Sequence, residues 1–539
     1  MSVEILQRLE EAKRRFGPGE GPRTAELIAA AAREPFPDAA SLVRFHEALL
    51  FLRAYPASPE VALAADQVLA GFAARVTGIP GLDEPEVSGI AGTSVSAVFS
   101  YHVARRLAAA WPGSVEIDWD GYPTDRLGRW LRPSLPLVEE DWTVEANVPY
   151  REWMRAAQGA AGTDLDWLLD RLPPDQYDSL ELPLRWELGD ADATRTRARM
   201  DAGPLFFQER PLERRGSLAQ ETPELELTRL SRAEGTRVIQ QAVDRSAARY
   251  RELYGFTYGD PANVLRAEAG RGVRFTLWGL LPERRLPLRA YHCAVISKNG
   301  VPVGYVETLS LFERMEVGFN IYYTFREGES AWLYTRLLRL FRQLMGVRCF
   351  SVDPYQIGLH NPEAIASGAF WFYRKLGFRP VGEKAERLLA IQDSRIVNYP
   401  GYRTPAATLR KFAAGPLVYD DQACWDRFHV RNLGLAVQRK MAERFGGDAE
   451  KMRRAAMAAV RRALGTPLHP ADQPWALVLS LIPDLKNWSA SEKRAVARML
   501  RAKRGPDRGY RRHQGRPGSG LARFSDSIAP AVLRVPQRG

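Results

Sequence analysis

Cysteine is nearly absent from this 539-residue chain: Cys293, Cys349 and Cys424 stand far apart, too few and too scattered for a disulfide framework or a zinc site. Long apolar runs are missing too. The most apolar late stretch, Trp475 to Ile482, is far short of the roughly 20 residues that span a bilayer. The opening Met1 to Glu11 is charged throughout and lacks the apolar centre of a secretory signal. Gly89 to Gly92 makes a turn, but no lysine follows where a phosphate loop would place one. These absences lead us to expect a soluble protein of the reducing cytoplasm.

What is present is an ordinary globular composition, 45% apolar and 26% charged, in a chain long enough for two to four domains. The net charge of +12 is unevenly placed. Between Lys493 and Arg516 ten basic residues face a single acid, Asp507. Arginines beside Tyr510 could hold phosphates and stack on bases, whereas a run of like charge is more commonly a solvated end. Nucleic-acid contact through 493–516 is therefore an expectation that is not favoured.

Hydrophobic periodicity divides the chain. Residues 1–142 read as a mainly helical N-terminal domain, with helical spacing over Ser41–Arg53 and Pro59–Phe72. Thr93 or Ser94 is expected to cap a helix from Val95 to Ala110. Val115–Asp120 reads as a strand whose Asp118 and Asp120 share a face; a solvated strand end is preferred there over a divalent metal site, and no metal is expected anywhere. Residues 143–222, broken by prolines, read as an irregular connecting region in which Asp190–Arg199 is exposed. Short acidic-aromatic pieces, Glu139–Trp142 and Asp164–Trp167, do not amount to a repeat.

Order sharpens over 223–404. Glu224–Leu230 alternates as a half-buried strand, and Ser231 with Glu234 forms a capping box that opens a helix to about Tyr254. Val273–Trp278 is a strand. Ala290–Glu307 is a hairpin turning at Asn299-Gly300, a pair that readily supplies two positive φ angles. Another strand is expected over Glu316–Phe325, a loop over Arg326–Ala331, an amphipathic helix, a strand over Val347–Asp353, and a last helix over Ala369–Leu376. Residues 405–504 read as a helical C-terminal domain, with a capping box at Ser489 and Glu492. From Gly505 to 539 a basic, disordered tail is expected.

Tyr373-Arg-Lys-Leu-Gly-Phe378, preceded by Ala369, looks like the late Tyr-x-Lys-Leu-Gly-Phe signature of the GNAT-type N-acetyltransferases. The strand Glu316–Phe325 running into Arg326-x-x-x-x-Ala331 resembles the strand and pyrophosphate loop of that family. The resemblance covers roughly 224–400 and implies an α+β fold, a GNAT-like mixed central sheet with helices, flanked by mainly helical regions. It implies acetyl-CoA or another acyl-CoA as cosubstrate, held by the backbone of Asn320, Ile321, Tyr322 and Tyr323 and by Arg326, Gly328, Ser330 and Ala331. A helix start exposes N–H groups and partial positive charge to a diphosphate. Glu316 is the candidate base for a small-molecule or protein amine, and Tyr373 the candidate acid for the departing thiolate.

This chain departs from the pattern twice. Glu329 stands at the expected glycine, with Gly328 one place earlier, so either the loop shifts until Glu327 and Glu329 both point outward or the coenzyme is not bound. The connection Pro354–Gly368 is expanded, with Ala366 at the family's usual asparagine and Asn361 nearby but out of register. The alternative is thus a catalytically inactive GNAT-fold scaffold or interaction protein. His292, His360 and Cys349 are expected to be structural, and Phe370, Trp371 and Phe372 to be helix core.

Overall fold

The computed structural model describes residues 3–36, 38–76, 79, 81–82, 88–131, 135, 149–158, 162–200, 203–219, 223–312, 314–420 and 430–514. Cys424, the Glu139–Trp142 piece and the end of the basic run lie outside them. The described chain is mixed α and β, built on a nine-stranded mixed sheet and a separate three-stranded one.

The small sheet consists of β1 (Ser94–Val98), β2 (Val115–Ile117) and β3 (Pro183–Glu187), antiparallel in the order β1-β3-β2. Two expectations are corrected here. Residues 94–98 form a strand rather than the start of a capped helix, because Val95 packs into the core opposite Trp186; the helix begins later, at Tyr101. The proline-broken region is no mere connection, since Leu165, Leu168, Tyr177, Leu184 and Trp186 share one core with Val103 and Leu107.

The large sheet takes β4 (Glu226–Arg229), β5 (Leu265–Gly270), β6 (Val273–Gly279), β7 (Ala290–Lys298), β8 (Val301–Leu311) and β9 (Arg314–Ile321) as successive antiparallel neighbours. After the helix Ser330–Met345, β10 (Cys349–Val352) returns parallel to β9. The chain then makes β11 (Arg379–Pro380) at the edge, leaves for two helices, and comes back as β12 (Leu417–Asp420) between β10 and β11. The central unit therefore runs past residue 404, and six antiparallel strands, β4 to β9, precede the Ser330 helix.

Local chemistry explains the elements that were legible. Asn299 (φ 49°) and Gly300 (φ 76°) turn the β7–β8 hairpin. Ser231 and Glu234 complete their reciprocal cap, as do Ser489 and Glu492. The Ser231 helix ends at Ala247 rather than Tyr254, because Tyr250 adopts a left-handed φ of 57° and reverses the chain.

Both faces of the large sheet are covered. Met315, Val317 and Phe319 of β9 point into a core shared with the N-terminal helices, the Ser330 helix and Phe370. Leu42, Phe45, Leu49 and Tyr55 belong to that same core, so the N-terminal helices form a layer on the sheet. The opposite face carries Trp278, Tyr291, Cys293 and Tyr305 under the Arg232–Ala247 helix and Phe256. The C-terminal bundle packs its own core against Ala290, Leu311 and Phe312 at one end of β7 and β8.

The basic run is also different from expectation. Residues 507–514 form a helix whose Tyr510 and Gln514 are fully buried. The Trp475 indole donates to the Tyr510 hydroxyl at 2.7 Å, Gln514 donates to the Leu288 carbonyl, and Asp507 lies 3.3 Å from Arg285. Arg504 pairs with Asp472, and Lys503 and Arg512 bond backbone carbonyls. Much of this charge is absorbed in docking the bundle. Among the described residues no helix is long and apolar enough to cross a membrane.

Candidate functional site

The parallel contact of β9 with β10 is short. It pairs Arg314 with Cys349, Met315 with Phe350 and Glu316 with Ser351, and stops there. β9 continues to Ile321 alongside β8 alone, so its far edge from Val317 onward faces an opening. Backbone groups on such an edge need partners. Here they find Gln356, from a short helical turn over Pro354–Ile357. Phe319 N–H donates to its Oε1 and its Nε2 donates to the Val317 carbonyl, both at 3.4 Å. The Tyr373 hydroxyl donates to the same Oε1 at 2.8 Å.

Tyr373 reaches this point from the helix Ala369–Lys375, which packs against Tyr334 and Phe378. Burial pushes its phenol well above the ordinary value. Phe370 is core, stacked on Phe412 at 4.1 Å, but Trp371 and Phe372 are only half-buried; the Trp371 indole bonds the Thr404 hydroxyl.

Glu316 lies on the other face of β9, in line with Gly318 and Asn320. Burial raises its carboxyl, Asp353 adds to this, and Arg314 and Arg289 oppose it. A second carboxylate, missed in the sequence, stands on the same face: Glu307 of β8 lies directly opposite Gly318 and accepts a hydrogen bond from the Tyr291 hydroxyl. Burial raises it also. The signal was there to read, a lone acid inside the mostly buried strand Val301–Leu311.

The residues expected to line a coenzyme are only partly brought together. Asn320, Ile321 and Tyr322 follow the open edge, with Tyr322 N–H still bonded to Val303 and its ring under Arg249 at 3.9 Å. Tyr323 does not. The strand ends at Ile321, and Tyr323–Phe325 coil into a helical turn that leaves the Tyr323 side chain 75% exposed. Its ring walls a separate cleft of about 450 Å³ shared with Lys13, Val43, Arg44 and Glu47 of the N-terminal layer.

The loop itself is corrected most. Glu329 does not point outward but is fully buried, accepting from Glu213 N–H at 3.0 Å and pairing with Arg271 at 2.5 Å and Lys298 at 3.3 Å. Burial pulls the Lys298 amine down to about 8, against the carboxylate that holds it up. Glu327 is the outward one, bound by Arg14 and Lys13. Gly328 is buried beneath Tyr55, whose hydroxyl would stand 2.7 Å from any added Cβ. The helix does start at Ser330, and Ser330 and Ala331 are half-buried. Arg326 is exposed and ion-paired with Glu363 across the mouth of the opening.

Asp190–Arg199, expected to be exposed, is so only at Asp190 and Asp192, while Ala193–Thr196 form a buried joint. Thr196 bonds His46 at 2.8 Å and Ala91 N–H at 2.9 Å, Arg53 donates to its carbonyl, and Arg195 pairs with Glu47. Glu47 in turn accepts from Thr324, just ahead of the loop. Asp118 accepts from Ser96 and from Asp120 N–H. No group of three or more metal-ligating side chains occurs among the described residues. His292 is buried in β7, His360 sits in a left-handed turn, Asn361 caps the helix Pro362–Ala366, and Cys293 and Cys349 are buried. No family model, curated protein or solved structure matches this chain.

Proposed function

We propose that the central unit is an acyl-coenzyme A-dependent N-acyltransferase of the GNAT type, transferring an acetyl or related acyl group to an amine. One observation carries this reading: β9 and β10 run parallel, part after Glu316 and Ser351, and receive the Tyr373 hydroxyl where they part.

In that chemistry the amine nitrogen attacks the thioester carbonyl, a C–N bond forms and the C–S bond breaks. Glu316, with its raised carboxyl, is placed to take the proton that an ammonium must lose. Tyr373 is placed to return a proton to the leaving thiolate. Open-edge N–H groups of β9 would carry the oxyanion. Ser330 and Ala331 would face the diphosphate at the helix start, with Arg326 once it leaves Glu363. The reading is of a protein of the reducing cytoplasm, which the scarcity and scatter of cysteine support.

A second reading is a GNAT fold kept as a scaffold without catalysis. It is favoured by the Gln356 carboxamide in the opening and by the burial of Glu329 in the loop. Thiol release from acetyl-CoA with a panel of amines separates the two. Release that falls in Glu316→Gln and Tyr373→Phe supports the enzyme. Neither release nor binding at millimolar acetyl-CoA, in wild type and in Gln356→Ala alike, supports the scaffold.

A further inference from the structure

The opening between β9 and β10 is crossed by a side chain whose chemistry matters. A carboxamide carries one carbonyl acceptor and N–H donors on a common carbon, the same pair that a secondary amide presents. Gln356 uses both at once: Oε1 accepts from Phe319 N–H, and Nε2 donates to Val317 C=O. Gly318 between them leaves room for it, since a Cβ there would lie 3.1 Å from Nε2. Tyr373 supplies a third bond from the far side. At the mouth, Glu363 holds Arg326, and both Gln356 and Glu363 belong to the expanded 354–368 connection.

The backbone of that connection is fixed by packing, whereas these two side chains are held by hydrogen bonds and an ion pair. Ile357 and Ile365 are buried, and Gly358 (φ 128°) sits so tightly on Ile365 that a Cβ would lie 2.1 Å from it. Glu363 and Tyr355 are exposed, and Gln356 is half-buried. A rotation about the Gln356 side chain would clear the β9 edge without moving the turn that carries it.

We infer that Gln356 is a built-in competitor for the donor groove, its carboxamide occupying the backbone positions that an amide of the acyl carrier's arm would take. This rests on the acyltransferase reading. Donor affinity is then set by exchange: the arm's amide replaces the Gln356 carboxamide on Val317 and Phe319, and the Tyr373 hydroxyl turns from Gln356 towards the thioester. Release of Glu363 from Arg326 frees the mouth in the same event.

Titration calorimetry of the full chain with coenzyme A tests this, with hydrogen exchange at the Phe319 amide as a second measurement. Gln356→Ala is expected to bind at least about tenfold more tightly than wild type. Its Phe319 amide should exchange faster without ligand and regain protection when coenzyme A is added. Equal affinity in the two proteins overturns the competitor while leaving the enzyme reading intact. Faster exchange with no recovery on adding ligand also overturns it. Absence of binding in both proteins overturns the competitor and the reading together. Circular dichroism of Gln356→Ala guards against loss of fold as the cause of weak binding.

Discussion

The Glu329 carboxylate and the Lys298 ammonium stand 3.3 Å apart, and neither side chain reaches solvent. A buried charge costs several kcal/mol unless it is matched, so each of these residues depends on the other. The acid that departs from the expected loop pattern is a structural anchor beneath the loop.

Replacing it with the glycine of the family pattern should therefore harm the protein. Glu329→Gly strands Lys298 and Arg271 and is expected to cost about 3–5 kcal/mol in urea unfolding. Its stability should depend on pH in a definite direction. The buried amine already titrates at about 8, below its free value of 10.5, and loses its supporting carboxylate in the variant. A folded pKa below the unfolded one gives stability at pH above 10.5 that is lost as pH falls through the folded value. The deficit should be largest at neutral pH and shrink on approach to 10.5. Adding Lys298→Met should remove most of that dependence.

Gly328→Ala tests the contact between the loop and the N-terminal layer. The new Cβ would meet the Tyr55 hydroxyl at 2.7 Å and the Phe325 carbonyl at 3.0 Å. Overpacking of this kind costs about 1–3 kcal/mol. Tyr55→Leu in the same protein should recover part of the loss, a rescue readable by thermal unfolding.

Glu316→Gln should separate stability from activity. A carboxyl raised by burial contributes stability below its unfolded value of 4.5 and loses it as pH rises through the folded value. At neutral pH the neutral glutamine should leave stability unchanged or slightly increased. Thiol release should nevertheless fall by about 10²–10⁴-fold if Glu316 is the base. Wild-type kcat/KM should climb with pH through that raised value, and the variant should lack this limb.

Tyr510→Phe should loosen the C-terminal bundle. It removes the hydrogen bond from the Trp475 indole and one of the two that the Leu288 carbonyl accepts, leaving the one from Gln514, at about 1–3 kcal/mol. Chemical unfolding followed by tryptophan fluorescence would read this.

Sequence reading succeeded where a few adjacent residues decide the structure. Asn299-Gly300 dictates its own turn, and Ser231 with Glu234 completes its own cap. It failed where the deciding partner is remote. Thr196 looks like a solvated residue among arginines until His46, some 150 positions earlier, is seen bonded to it. The 507–514 helix looks like a loose basic end until Leu288 and Arg285 are brought up against it. Gln356 could not be read as part of any site, because its partners are main-chain atoms of another strand. Periodicity also misplaced Ser94–Val98, where Trp186 provides the tertiary reason for a strand.

The late return of β12 has a consequence for biosynthesis. Leu417–Asp420 hydrogen-bonds to both β10 and β11, so β10, made by residue 352, waits for its outer neighbour until residue 420 has been translated. Meanwhile its unpaired edge is open to other nascent chains. Distant pairings of this kind form slowly, and the two helices over Glu383–Asn398 and Ala406–Phe412 emerge during the wait. Ribosomal pausing within that interval would lengthen the vulnerable period, whereas a pause after residue 420 would let the sheet close before the bundle is made.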